Sequence, residues 1–161
     1  MDYRRRREEG KSEFEKRVLQ VDRVARTVAG GKRIRFRALV IVGNRSGKVG
    51  IGIGKASEVA DAVRKGSRLA EKQMVEVPIT NGTIPHRLEI SIGAAHIILK
   101  PAKPGTSIVA GGAVRAISEL AGIRNLSGKI LGTANKINNS KVVMEAFRIF
   151  AKEKKLQNEA K

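Results

Sequence analysis

Apolar and polar residues alternate with a period of two in the first third of the chain, which predicts β-strands. The segment RIRFRALVIV gives one strand an apolar face and an arginine-bearing face. The apolar positions are Ile34, Phe36, Ala38, Val40 and Val42, and the arginines between them are Arg33, Arg35 and Arg37. The preceding segment RVLQVDRVARTV is compatible with a helix or a strand. Its valines and the Gly30-Gly31 turn that follows favour a strand.

A third strand follows the turn sequence GNRSG, and its two faces differ in character. One face carries Val49, Ile51 and Ile53, and the other carries Gly50, Gly52 and Gly54. We expect Val42 to lie opposite Val49, because the apolar faces of the two strands then coincide. The outer face would then hold arginines beside a strip of bare backbone that an RNA backbone or a partner surface can approach closely. The alternative is that the glycines allow tight packing against another layer of the protein.

The rest of the chain predicts one more helix in the first half and a separate second half. Ser57 is a candidate N-cap for a helix with an apolar stripe from Val59 to Ala70. After the turn-rich joint VPITNGTIP, the pattern predicts two strands, a glycine-rich loop, a helix ended by Gly122, a strand near 129–132 and a last helix. The candidate caps of that last helix are Asn138, Asn139 and Ser140.

The predicted fold class is therefore α+β, with a three-stranded antiparallel sheet and one helix followed by a two-layer α/β domain. We expect a flexible basic arm at 1–13, the sheet-and-helix domain at 14–77, a linker at 78–85, the α/β domain at 86–151 and a frayed tail at 152–161.

Charge indicates the class of partner. The 161 residues include 33 Lys+Arg and 15 Asp+Glu, for a formal net charge of +18. Solubility requires a net charge of only about 2–8 in magnitude, so the excess favours a polyanionic partner. Nine cations and no carboxylate lie between Arg23 and Ser57, where two strands are predicted. The sequence therefore predicts a nucleic-acid-binding surface. Its candidate residues are Arg23, Arg26, Gly30, Gly31, Lys32, Arg33, Arg35, Arg37, Arg45, Lys48, Gly50, Gly52, Gly54 and Lys55.

Other features narrow the function. The chain has one Tyr, four Phe and no Trp, so few aromatic side chains can stack on single-stranded bases. Contacts to phosphate and sugar on structured RNA or on a duplex are favoured instead. Cysteine is absent, and no catalytic residue, metal site or cofactor is predicted, because His86 and His96 lack a ligand cluster. No apolar run approaches the roughly 20 residues of a membrane span. We expect a soluble cytoplasmic protein and no homo-oligomer.

The segment PGTSIVAGGAVR combines a glycine-rich loop with the start of a helix, where free amides attract anions. Contact with phosphate or with a protein partner and a purely structural loop remain open. Arg115 in the first turn opposes the helix dipole, so we expect an external acidic partner for it.

Four blocks together carry a family resemblance over about residues 14 to 150. They are GGKRIRFRALVIVGNRSGKVGIGIGKASEV, NGTIPH, ILKPAKPGT and AGGAVRAISELAGIRN. In this order they strongly resemble the bacterial type of the small-subunit ribosomal protein five family. The resemblance implies a double-stranded-RNA-binding-like domain that lacks its first helix, followed by an α/β domain that also occurs in some kinases. Ala60, where the family often has Pro, and Lys136, where an Asn-Pro pair is common, depart from the pattern.

The resemblance also implies partners: small-subunit rRNA, mRNA near its entrance, and the neighbouring small-subunit proteins four and eight. The family's RNA-facing loop matches Ala29 to Arg35, and its glycine strand matches Gly50 to Lys55. The region linked to protein four and to translational accuracy supplies the candidate interface residues Gly105, Thr106, Ser107 and Arg115. Arg64, Lys65 and Arg68, on an exposed helix face, are candidate contacts to mRNA.

Two other functions compete with a structural role in the ribosome. One is a free-standing duplex-RNA-binding protein or RNA chaperone, which the charge alone would also fit. The other is an enzyme of the kinase-related fold, for which only PGTSIVAGG argues. No catalytic acid and no metal-binding carboxylates accompany that loop in the sequence, so we expect no enzymatic activity.

Overall fold

The computed structural model describes residues 14–159, and its first half is an antiparallel sheet in the order β1-β2-β3-β4. The strands are β1 (Glu15–Val28), β2 (Gly31–Gly43), β3 (Lys48–Ala56) and β4 (Val75–Glu76), and the helix α1 (Val59–Lys72) connects β3 to β4. The predicted three strands and helix are confirmed, and β4 adds a short strand at the edge. The predicted arm at 1–13 lies outside the described residues.

The hairpin of β1 and β2 extends well beyond the rest of the sheet. β3 pairs with β2 only from Phe36 to Gly43, whereas β1 and β2 stay paired as far as Val28 and Gly31. Residues 23–35 therefore form a projecting two-stranded arm, here named the basic ribbon, in which every residue from 25 to 35 is exposed. A two-residue turn closes it, and Gly31 has a φ of +141°, which side-chain-bearing residues rarely adopt.

The register between β2 and β3 differs from the prediction by one residue. Val42 lies opposite Gly50 and Val40 opposite Gly52, whereas Ile41 lies opposite Ile51. The prediction assumed that one face of the sheet is open to solvent. Both faces are covered, so a register that turns the glycines toward α1 leaves the apolar residues of both faces buried.

The second half is a two-layer α/β domain, as predicted. Its sheet has the order β5-β6-β8-β7, with β7 parallel to β8. The strands are β5 (Leu88–Ile92), β6 (Ala95–Pro101), β7 (Ile108–Val109) and β8 (Leu126–Ile130), and the helices are α2 (Gly112–Ala121) and α3 (Lys136–Glu159). None of the helices within residues 14–159 combines the length and apolarity needed to cross a membrane.

Several predicted ends of elements were wrong. Helix α3 continues to Glu159, so most of the tail expected to fray from 152 is helical. α1 has Glu58, not Ser57, at its N-cap position. α3 begins after Asn135, whose side-chain oxygen accepts a hydrogen bond from the Ile137 amide at 3.0 Å. Gly122 does end α2, in the left-handed conformation with a φ of +92°.

One apolar core joins the two halves. Ile41 and Val49 of the first sheet belong to the same buried cluster as Leu120 of α2 and Phe147 of α3. A smaller cluster lies on the other face of the first sheet, where Val40 packs with α1. The first sheet is therefore covered by α1 on one side and by the second half on the other, and the basic ribbon projects beyond this covered part.

Candidate nucleic-acid interface

One face of the basic ribbon gathers three arginines from two strands. Arg26 lies directly opposite Arg33, and Arg35 is two residues further along β2. All three are exposed, and none forms an ion pair with a carboxylate within residues 14–159. Like charges directly opposite each other destabilise a strand pair. An anion bound across Arg26 and Arg33 would remove that repulsion.

The opposite face of the ribbon is also cationic. Lys32 lies opposite Thr27 next to the turn, and Arg23 lies opposite Phe36 at the base. Both cations are exposed and lack a carboxylate partner in the part of the chain that the structure describes. The cations predicted for the ribbon are thus brought together on one projecting element.

At the base of the ribbon, Arg37 is held by an internal carboxylate. Its Nη2 and Nε donate hydrogen bonds to Asp22 Oδ2 at 2.7 and 3.1 Å. Hydrogen bonds from Gln20 and then from Arg37 lower the pKa of Asp22. Lys55, opposite Arg37 on β3, is exposed and continues the cationic surface. Arg37 is therefore a partly neutralised member of this surface.

Arg45 and Lys48 lie at the other end of the sheet, away from the ribbon. Arg45 binds Glu15 with two hydrogen bonds, from Nε at 2.6 Å and from Nη2 at 3.0 Å. The hydrogen bond from Arg45 lowers the pKa of Glu15. Lys48 lies opposite Glu76 in β4. The structure therefore does not place these two residues with the other predicted RNA contacts.

The predicted strip of exposed glycines on β3 was wrong. All three glycines are buried against α1. A Cβ on Gly50, Gly52 or Gly54 would lie 2.2, 2.0 and 1.9 Å from the carbonyl oxygens of Ala70, Gly66 and Ala62, respectively. The missing side chains let α1 approach the sheet closely, and no room remains there for an RNA backbone. The alternative interpretation, that the glycines allow tight packing against another layer of the protein, is the correct one.

Three cations of α1 face away from the sheet. Arg64, Lys65 and Arg68 are all exposed, and Arg64 forms an ion pair with Asp61 one turn earlier. Lys65 and Arg68 have no carboxylate partner among the described residues. The predicted outward position of this group is confirmed, while its contact with mRNA remains a prediction.

A buried asparagine shapes the loop that contains Gly105, Thr106 and Ser107. The Asn125 side-chain oxygen accepts hydrogen bonds from the amides of Gly105 and Ser107, both at 3.1 Å. Ser107 adopts a φ of +61°, which is uncommon for a residue with a side chain. The three loop residues are exposed. Sequence reasoning missed Asn125, because its partners are 18 and 20 residues away along the chain.

We expected an external acidic partner for Arg115, but the chain itself supplies one. Arg115 Nε donates to Glu119 Oε1 at 3.0 Å, one turn further along α2. Arg17 of β1 donates to the other oxygen of Glu119 at 2.6 Å. The hydrogen bond from Arg17, followed by that from Arg115, lowers the pKa of Glu119. Arg115 and Glu119 line a groove of about 530 Å³ between the two halves, together with Arg45 and Ser107.

The two histidines lie apart and serve different local contacts. His96 Nε2 is 2.8 Å from Glu89 Oε1 on the open face of the second sheet, and His86 packs edge-on against Phe150. Within residues 14–159, no three His, Asp or Glu side chains are grouped closely enough to hold a metal ion.

Comparison with known proteins agrees with this two-part architecture. Residues 14–78 match the family model described as ribosomal protein S5, N-terminal domain, and residues 91–159 match that of the C-terminal domain. A small ribosomal subunit protein uS5 from Thermus thermophilus is 52% identical over 137 residues, which cover 85% of each chain. The uS5 protein of Acaryochloris marina is 49% identical over 142 residues, 88% of this chain and 80% of that one.

The two matched ranges take up most of the described residues, and the basic ribbon lies inside the first of them. The resemblance in the four sequence blocks is thereby confirmed, and the chain belongs to the ribosomal protein S5 family.

Proposed function

We propose that the basic ribbon is the principal rRNA contact of this chain, which is a structural constituent of the small ribosomal subunit and not an enzyme. The observation that carries the proposal is the Arg26–Arg33 pair: two like charges directly opposite each other with no carboxylate partner in the described range. Phosphates of an RNA backbone would convert their repulsion into charge-assisted hydrogen bonds.

The shape of the ribbon supports contact with folded RNA. The element is only two strands wide, ends in a two-residue turn and is solvent-exposed along its outer length. Residues 23–35 include no aromatic residue, and the adjacent Phe36 packs in the apolar cluster under α1, so no aromatic side chain of the ribbon is available to stack on a base. The ribbon would therefore bind RNA through contacts to its phosphates and through the shape of an RNA helix.

The test is the salt dependence of rRNA binding. Replacement of Arg26, Arg33 and Arg35 by Ala should reduce the slope of log affinity against log salt by about three, since each phosphate contact contributes about one. The matched control replaces Lys152, Lys154 and Lys155, which are exposed cations at the end of α3. Filter binding to small-subunit rRNA between 50 and 200 mM salt measures this slope for both variants. An unchanged slope, or an equal loss in the control, would refute the proposal.

We assign the mRNA contact to α1 and the contact with small-subunit protein four to the loop held by Asn125. Lys65 and Arg68 are exposed cations without a carboxylate partner among residues 14–159, and they lie on an element separate from the ribbon, so they can meet a second nucleic acid. The loop residues Gly105 and Ser107 are exposed yet fixed by hydrogen bonds, which suits a protein interface that affects accuracy. The exposed end of α3 is the candidate contact with protein eight.

A further inference from the structure

The outer edge of β3 is unpaired over most of its length. β4 pairs only with Lys48 and Val49, so residues 50–56, about 20 Å of strand, have no neighbouring strand on that side within the described chain. An open edge presents unpaired backbone N–H and C=O groups and can pair with another extended chain.

This edge forms the floor of a groove between two helices. The groove measures about 480 Å³, and Ile51 and Ile53 of β3 lie along its floor. One wall comes from α1, through Leu69 and Gln73, and the other comes from α3 together with Ile92. Ile92 is 45% exposed and adds apolar surface to this wall. A strand edge between two partly apolar walls is the geometry in which peptides add to a sheet.

Charge around the groove indicates the chemistry of the occupant. Lys141 lines the α3 wall, Lys55 ends the open edge, and Lys65 lies one turn before Leu69 on α1. None of the three has a carboxylate partner among residues 14–159. The single acid of the groove, Glu145, is already paired with Arg148 at 2.9 Å. The surroundings therefore attract negative charge, while the floor attracts apolar side chains.

We propose that this groove binds an extended segment of a neighbouring protein, in which every second residue, on the face turned away from α1, is apolar or acidic. The segment would add to β3 as a strand in line with β4, with apolar side chains over Ile53 and Ile92 and carboxylates toward Lys55 and Lys141. RNA fits less well, because phosphates gain nothing from the apolar floor and, although they accept hydrogen bonds from N–H groups, they have no donor for the C=O groups of the strand edge. This inference concerns a surface separate from the basic ribbon and does not depend on how the ribbon binds rRNA.

Photo-crosslinking in assembled small subunits tests the proposal. The photoreactive residue p-benzoylphenylalanine replaces Gln73, which lines the groove, or Lys72, the exposed neighbouring residue that does not. We expect Gln73 to crosslink at least about tenfold more strongly than Lys72 to one protein segment in which every second residue is apolar or acidic. Crosslinks to rRNA only, equal crosslinks from both positions, or no crosslink from Gln73 would each overturn the proposal.

A second measurement needs no substitution. Amide hydrogen exchange of residues 50–56 is compared between the free protein and the small subunit, with the buried β2 residues 38–42 as an internal reference. We expect exchange at the β3 edge to slow by at least about tenfold in the subunit, because an added strand would occupy its amides. Equal exchange in the two states would overturn the proposal independently of the crosslinking result.

Discussion

The main-chain amide of Arg45 donates a hydrogen bond to the carbonyl of Leu120 at 2.9 Å and so ties the β2–β3 loop to the end of α2. The amide of Gly47 likewise donates a hydrogen bond to the carbonyl of Ala121 at 2.8 Å. The last four carbonyls of a helix lack donors within the helix. In α2, the amides of Ile123 and Gly122 donate hydrogen bonds to the carbonyls of Ser118 and Glu119, respectively. The β2–β3 loop donates to the remaining two carbonyls. The first half of the protein thus completes the cap of a helix in the second half.

Gly43 makes this approach possible, which leads to a first prediction. A Cβ at Gly43 would lie 2.3 Å from the carbonyl oxygen of Leu120, so Gly43→Ala must push the two halves apart. We expect the free energy of unfolding to fall by about 1–3 kcal/mol, as for other overpacked sites. Urea unfolding measures the change.

The control for this prediction is Gly112→Ala in the first turn of α2. A Cβ there meets nothing within 4 Å, and alanine favours a helix over glycine. The free energy of unfolding of the Gly112→Ala protein should stay the same or rise by up to about 1 kcal/mol. Equal stability of the Gly43→Ala protein and the wild type would mean that the halves are not packed as closely as described.

The buried glycines of β3 provide a second prediction, which separates packing from RNA binding. A Cβ at Gly52 would lie 2.0 Å from the carbonyl oxygen of Gly66, so Gly52→Ala should destabilise the protein by about 1–3 kcal/mol. The rRNA affinity of the folded variant should equal that of the wild type, because α1 covers this position. Urea unfolding and filter binding on the same preparation decide the question. A loss of affinity without a loss of stability would instead support an RNA contact at the glycines.

The position of these glycines in the fold could not be predicted from the sequence, although the strands themselves could. Alternation is a local signal, and it predicted β2, β3 and the opposite directions of Arg35 and Phe36 correctly. For β1 the period was ambiguous, and its valines and the Gly30-Gly31 turn favoured the strand. The register of β3 depends on which layers cover the sheet, and the second half of the chain, which supplies one of them, is distant in sequence. The contacts of Asn125 and of the Arg45 amide depend on the same long-range packing. The Arg115–Glu119 pair is different: its spacing of four residues was readable from the sequence and was overlooked.

Acid sensitivity at Glu119 is a third prediction. Its pKa is lowered in the folded protein by Arg17 and then by Arg115. A lowered pKa means that the ionised form stabilises the fold above the ordinary value of about 4.3, and that this contribution is lost as the pH falls through that value toward the folded pKa. Glu119→Gln should therefore cost about 1 kcal/mol or less at pH 7, since the side chain is partly exposed.

The difference between the Glu119→Gln protein and the wild type should shrink as the pH falls below about 4. Urea unfolding at several pH values measures this difference in the free energy of unfolding. Glu145→Gln is the matched control, because the one partner of Glu145 among the described residues is Arg148 on its own helix, and this exposed pair should contribute little. A difference for Glu119→Gln that remains constant from pH 7 to pH 3 would show that the ionised carboxylate is not the stabilising form.

The outward face of α1 provides the last prediction. Replacement of Arg64, Lys65 and Arg68 by Ala should slow the unwinding of structured mRNA on assembled subunits, on the order of tenfold, because local cations raise the concentration of the strand near its path. Assembly should be spared, since α1 packs on the sheet through other residues, Ala62, Gly66 and Ala70 among them. The comparison protein carries Ala at Arg87, Lys100 and Lys129, exposed cations in or next to the second sheet for which no contact is proposed, and this removes the same charge elsewhere. Unwinding at the wild-type rate, or equally slow unwinding in both variants, would remove α1 from the mRNA path and leave the basic ribbon as the only nucleic-acid contact proposed for the chain.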